Sequence, residues 1–147
     1  MIPEALLNAG RRHLVTIDGK ARLTEAARLF ADPATRLLVV CDQDNRMIGV
    51  LSRTDIVSRI GRCKGGSCAE PVEAAMTRDV VSCSTADKPT DILERMKATG
   101  HKNLPLIESD GRPIGIVAAP DVLEFLLEDR EREESLLFDY VMGIGYR

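Results

Sequence analysis

Ser52 and Asp55 stand three residues apart just after an apolar run, and they are the side chains best placed to hold a small molecule. A carboxylate accepts two hydroxyl hydrogen bonds at once, which suits a ribose diol. A serine hydroxyl beside a helix N-terminus suits a phosphate. Gly49, without a Cβ, lets backbone or ligand come close. The same residue types also cap helices, so Ser52, Thr54 or Asp55 can equally serve the first turn that follows them. What separates the two readings is recurrence. Gly49-Val50-Leu51-Ser52-Arg53-Thr54-Asp55 returns as Gly115-Ile116-Val117-Ala118-Ala119-Pro120-Asp121, with 115 − 49 and 121 − 55 both equal to 66. A whole setting that recurs favours function over a single cap.

The same offset runs without a gap from Leu14 to Val57, paired with Val80 to Leu123. Val15 meets Val81, Thr24 meets Thr90, Leu38 meets Leu104, and Arg36 meets Lys102. A fixed period of this kind defines the fold before any local reading. In each copy the patterning predicts strand, helix, strand, strand, helix. The first copy has strands over His13 to Ile17, Leu37 to Cys41 and Arg46 to Leu51. One helix opens near Thr24 and stops at Asp32-Pro33; another carries Ile56, Val57 and Ile60. The second copy has strands over Val80 to Cys83, Leu104 to Ile107 and Pro113 to Val117. Its first helix opens at Pro89-Thr90 and ends at Gly100, and its second starts at Asp121. A short helix is expected over Pro3 to Arg12.

The expected fold class is α/β (α+β): two pseudo-symmetric repeats packed as one module, with N- and C-terminal helices. The boundaries are 13–62 for the first repeat, 63–75 for a Cys/Gly connector, 76–128 for the second repeat, and 129–147 for a C-terminal helix and apolar tail. With 147 residues the chain can bury a real core. Its net charge of −3 and 3% aromatic content leave neither a basic field nor stacking platforms, so nucleic acid is not an expected partner. No run approaches the roughly 18 apolar residues of a membrane span. The N-terminus has no secretory pattern, so a cytoplasmic location is the default expectation.

Two stretches fall outside the repeats. The connector holds Cys63 and Cys68, which can clip a metal or close a disulfide. A zinc site needs about four ligands. Only Cys41 and Cys83 remain, both in strands, so Cys63 and Cys68 are weak metal candidates and no metal is expected. The tail from Leu136 to Arg147 is apolar and is expected to fold back onto the core. A dimer contact or partner strip is the sharper alternative.

The repeat pattern resembles a tandem pair of cystathionine-beta-synthase (CBS) domains, a Bateman module. The second copy resembles the family most: Ala75-Met76-Thr77-Arg78-Asp79-Val80-Val81 at entry, His101 to Ile107 as the middle strand, and Asp110 to Val117 as turn and last strand. The resemblance covers about residues 13 to 127. It implies two clefts able to hold adenosyl ligands such as AMP, ADP, ATP or S-adenosylmethionine. Gly49, Ser52 and Asp55 are the family-like positions of the first copy, the acid for ribose and the hydroxyl for phosphate. Gly115 and Asp121 match in the second copy, but Ala118 stands where a hydroxyl is usual, so that cleft is expected to be weaker or tuned to a ligand without phosphate there. Arg36, His101 and Lys102 can supply positive charge to a phosphate. Leu14, Val15, Val80 and Val81 would wall the base.

No catalytic set emerges. His13 and His101 lack motif partners, and the carboxylates fall in turns and in a charged helix. The expected function is therefore a non-catalytic regulatory module, not an enzyme and without a catalytic cofactor. It binds an adenosyl nucleotide, forms a homodimer, and signals to a separate effector protein, since no effector domain lies within the 147 residues. Two alternatives stand beside it: a ligand-free interaction scaffold, and a thiol redox or metal sensor through Cys63 and Cys68.

Overall fold

The computed structural model describes residues 1–61 and 69–142, with side chains as far as Leu137. Helix α1 (Glu4–His13) leads into strand β1 (Thr16–Asp18), helix α2 (Leu23–Phe30), strands β2 (Leu38–Cys41) and β3 (Met47–Leu51), and helix α3 (Arg53–Gly61). A 3₁₀ turn (Val72–Ala74) precedes helix α4 (Pro89–Thr99), strands β4 (Asn103–Ile107) and β5 (Pro113–Ala118), and helix α5 (Ala119–Met142). The fold is mixed α and β, in two repeats.

Pairing registers repeat as closely as the sequence does. Val39 pairs with Val50 and Val40 with Gly49; Pro105 pairs with Ile116 and Leu106 with Gly115. Both hairpins carry a bulge at the same place, between Val40 and Cys41 and between Leu106 and Ile107. Both hairpin turns use a left-handed residue, Asn45 at φ 62° and Gly111 at φ 90°. Asparagine and glycine are the residues that tolerate this region best.

The entry segment of each repeat packs on the other repeat. Helix α1 lies on β5, and its Leu6, with Ile2 just before the helix, joins the core of Ile92, Leu104, Val117 and Val122. The connector's Val72, and Met76 at the entry to the second repeat, join the first core with Leu23, Leu38 and Leu51. A third cluster of Val39, Cys41 and Ile116 ties the two halves together. The glycines make this crossing possible. A Cβ on Gly115 would lie 2.8 Å from the Gly10 carbonyl carbon; one on Gly49 would lie 2.7 Å from the Thr77 carbonyl oxygen.

Four local expectations change. The strand expected from His13 begins only at Thr16, because α1 runs through His13. The strand expected over Val80 to Cys83 reduces to one parallel bridge, Cys83 to Leu106, the repeat equivalent of Ile17 to Val40. Val80 and Val81 instead face the space between the repeats. Thr24 does not cap α2: the cap is Arg22, without a side-chain bond, and the Leu23 amide donates to the Glu70 carbonyl of the connector instead. Finally, α5 continues unbroken, with Leu136 and Leu137 63% and 64% exposed, so the described part of the tail does not fold back onto the core. Charges three and four residues apart sustain such an exposed helix, as in Arg130 with Glu134 at 3.4 Å.

Candidate ligand-binding cleft

Strand β3 delivers Ser52 to the mouth of α3. There Ser52 Oγ accepts the Asp55 amide at 3.1 Å, and Asp55 Oδ2 accepts the Ser52 amide at 2.9 Å. This reciprocal pair is a capping box, so both side chains fix the turn they sit on. Capping does not exhaust them. The serine hydroxyl still has a proton to donate, and a carboxylate has about four acceptor sites. The pair is preorganised at the edge of a cavity of about 250 Å³ between the repeats.

The first repeat lines that cavity with Leu37, Val50, Ser52, Thr54 and Asp55, and the second with Val80, Val81, His101, Asn103, Leu104 and Pro105. Thr77 and Asp79 of the entry segment close one side. An apolar slot with a few polar groups at one end is the usual form of a small-molecule site. Asn103 Oδ1 is buried there without a hydrogen-bond partner. A buried acceptor left unpaired costs about 1–3 kcal/mol, a cost a ligand N–H donor would remove.

Of the residues singled out from sequence, the cleft brings together Ser52, Asp55, Val80, Val81 and His101. Gly49 sits behind the wall, where its missing Cβ admits Met76 and Thr77. Leu14 packs against the inter-repeat cluster and Val15 against the first core. Gly115 faces Gly10. Arg36 and Lys102 are exposed and do not line the cleft. Asp121 accepts a 3.0 Å hydrogen bond from His13 Nε2. The repeat-equivalent acids therefore have different fates: Asp55 is boxed by its own helix, whereas Ala118 cannot box Asp121 and a histidine takes its place. Thr54, Thr77, Asp79 and Asn103 were not identified as site residues from sequence. Their signal lay in the mismatches of the repeat, where Asp79 aligns with His13 and Asn103 with Leu37.

A larger concavity of about 760 Å³ lies at the outer end of the second repeat, lined by Ser84, Asp87, Arg95 and Asp110. Its one basic side chain among the described lining residues, Arg95, is already engaged. Arg95 donates to Asp87 at 2.9 Å and to the Ser82 carbonyl at 3.0 Å, and its guanidinium holds the Asp87 carboxyl below the usual range. The smaller cleft, by contrast, keeps hydrogen-bonding capacity at Ser52, Asp55 and Asn103 that the protein does not use. Burial pushes the Cys83 thiol up to about 12 and raises that of Cys41, so both stay protonated in the core. Cys63 and Cys68 lie outside the described residues. Among the described residues no cluster of three metal-ligating side chains occurs, and no helix is long and apolar enough to cross a membrane.

Two repeats that trade entry segments and enclose an apolar slot define a paired-repeat module. The CBS domain model matches residues 9–62 and 72–128, and the chain belongs to that family. A 17.7 kDa Acidianus ambivalens protein, named for the bps2 3′ region, is 32% identical over 84% of this chain and 73% of its own length. Of the next two curated relatives the chain spans 38% and 22%. The CBS domain pair of MJ0100, solved with 5′-methylthioadenosine and S-adenosyl-L-methionine, is 18% identical with a TM-score of 0.71, covering 84% of this chain and 96% of that one. CBSX2, solved with AMP, is 19% identical with a TM-score of 0.73, covering 85% and 97%.

The orphaned acceptor gives a first test of the cleft. Asn103→Leu, which copies the equivalent Leu37, is expected to raise the unfolding midpoint by about 2–4 °C, since about 1 kcal/mol of desolvation cost disappears. It is also expected to weaken an adenosyl ligand about fivefold, the loss of one hydrogen bond. A lowered midpoint would mean that Oδ1 is satisfied in solution.

Proposed function

We propose that this chain is a non-catalytic regulatory module. It binds an adenosyl nucleotide between its repeats and passes the resulting change in packing to a separate partner protein. The cleft carries this reading. Its apolar walls come from both repeats, so a flat base seated there touches both halves at once, while Asp55 and Ser52 stand where a ribose would lie. A ligand bridging two halves has differential contacts with their closed and open arrangements, which is what a population shift requires. The solved complexes of fold relatives with AMP and with S-adenosyl-L-methionine support the ligand class.

Self-association is part of the same reading. Val57 on α3 and its repeat equivalent Leu123 on α5 are 70% and 46% exposed, and Ile60 and Leu127 extend the same two helices' apolar surface. A homodimer through these helices would cover them. The scaffold reading draws on the exposed Leu136 and Leu137 and needs no ligand.

Thermal unfolding of the purified chain against AMP, ADP, ATP, S-adenosylmethionine and NADH separates the two. A ligand at 100 times its dissociation constant adds about 2.7 kcal/mol, a rise of roughly 5–10 °C for a chain this size. No rise with any adenosyl compound would retire the sensor reading in favour of the scaffold.

A further inference from the structure

We propose that the inter-repeat cleft selects an adenosyl ligand whose 5′ substituent is neutral or cationic, such as a thioether or sulfonium, and discriminates against nucleotide phosphates. The inference rests on the reading of the cleft as an adenosyl site and goes further by setting the charge of its ligand.

The charges lining the cleft decide it. Its described residues include two carboxylates, Asp55 and Asp79, with His101, and no lysine or arginine. The lysines and arginines near it in sequence are directed elsewhere or lie outside the wall. Arg53 opens α3, yet its guanidinium donates to the Phe30 and Asp32 carbonyls at 3.0 and 3.1 Å and stacks over the Phe30 ring at 5.2 Å. Arg36, Arg78 and Lys102 are exposed and line no part of it. The α3 N-terminus would ordinarily welcome an anion, but the Ser52 hydroxyl already takes the Asp55 amide and the Asp55 carboxylate sits on the first turn. A phosphate would enter beside two carboxylates with His101 the one basic side chain among the described lining residues, whereas a sulfonium would be attracted by both carboxylates.

The other half of the module makes the contrast internal. At the position equivalent to Asp79 it has His13, which hydrogen-bonds Asp121, the counterpart of Asp55. A basic partner is thus supplied to one acid of the pair and a second acid to the other. The two equivalent acids thus stand in different settings, Asp121 on a histidine and Asp55 in a lining that a second carboxylate joins.

Calorimetric titration of the full chain with 5′-methylthioadenosine, S-adenosylmethionine, AMP and ATP, without divalent ions, tests this. The neutral and cationic ligands are expected to bind at least tenfold more tightly than AMP. Raising the salt concentration should narrow that gap, because screening weakens the repulsion. Asp79→Asn, at an exposed position with little bearing on folding, is expected to shift the ratio of AMP to 5′-methylthioadenosine affinity about three- to tenfold toward AMP. AMP or ATP binding as tightly as 5′-methylthioadenosine would overturn the charge argument while leaving the adenosyl site intact. Binding of none of the four would overturn the adenosyl site and this inference with it.

Discussion

Asp55→Asn is expected to cost about 100-fold in affinity for 5′-methylthioadenosine while leaving the unfolding midpoint within about 2 °C of the parent. The two effects part because Asp55 caps α3 and, in the proposed function, also holds the ribose. Its Oδ2 accepts the Ser52 amide at 2.9 Å, a role an asparagine carbonyl oxygen fills as well. Holding a ribose diol needs two further acceptor sites on a charged group, and hydrogen bonds to charged groups contribute about 1.5–3 kcal/mol each. A loss of about 2.7 kcal/mol is 100-fold. A neutral ligand serves here so that removing a negative charge does not itself alter the attraction. Asp55→Ala should show the same affinity loss together with a midpoint lowered by roughly 2–4 °C, since the capping box goes too. Parent-like affinity in Asp55→Asn would mean that the carboxylate is only a cap, the bland reading of the motif.

The largest stability effect is expected at Gly115. A Cβ there would come within 2.8 Å of the Gly10 carbonyl carbon, 3.0 Å of its oxygen and 3.2 Å of the Arg11 amide nitrogen. All three are backbone atoms, so no rotamer change relieves the clash. Either α1 lifts from β5 or the strand bends, and overpacking of this kind costs about 1–3 kcal/mol. For a chain of this size Gly115→Ala should lower the unfolding midpoint by roughly 3–10 °C. Lifting α1 would also break the 3.0 Å bond from His13 to Asp121, so cleavage by protease within α1 should accelerate. Gly61→Ala is the control. A Cβ there meets nothing within 4 Å, and alanine at the end of α3 is expected to be neutral or to stabilise by up to about 1 kcal/mol. A Gly115→Ala midpoint equal to that of Gly61→Ala would show that α1 and β5 do not pack this closely in solution.

Both predictions turn on features that the sequence announces only partly. The 66-residue offset was plain in the residues, and with it came the order of elements, the matched hairpins and the pairing of Asp55 with Asp121. Hydrophobic period and turn residues are local properties, so the chain displays them directly. The positions of Ser52, Asp55, Val80 and Val81 were legible because they lie at motif ends. The glycines were legible as places of close approach, but not what approaches them: Gly49 admits Met76 and Thr77 of the second repeat's entry segment, and Gly115 admits α1.

The rest was decided where segments distant in sequence meet. Repeat symmetry argues for two equivalent clefts, but packing makes them unequal. His13 reaches Asp121 only because α1 crosses onto the opposite repeat, and Asp79 joins Asp55 because the connector makes the same crossing. Arg36 and Lys102 read as phosphate ligands by their place before a strand, yet exposure keeps them out of the cleft, since long charged side chains stay with water unless something holds them. The strand expected over Val80 to Cys83 reduced to one bridge because its valines line a cavity instead of a neighbouring strand. The sequence by itself determined the repeat, its elements and the box at Ser52 and Asp55, all set by short-range geometry. Only the tertiary structure decided which acid takes a histidine partner and which side chains line the cleft beside the other, because those depend on segments brought together by the crossing of two entry segments.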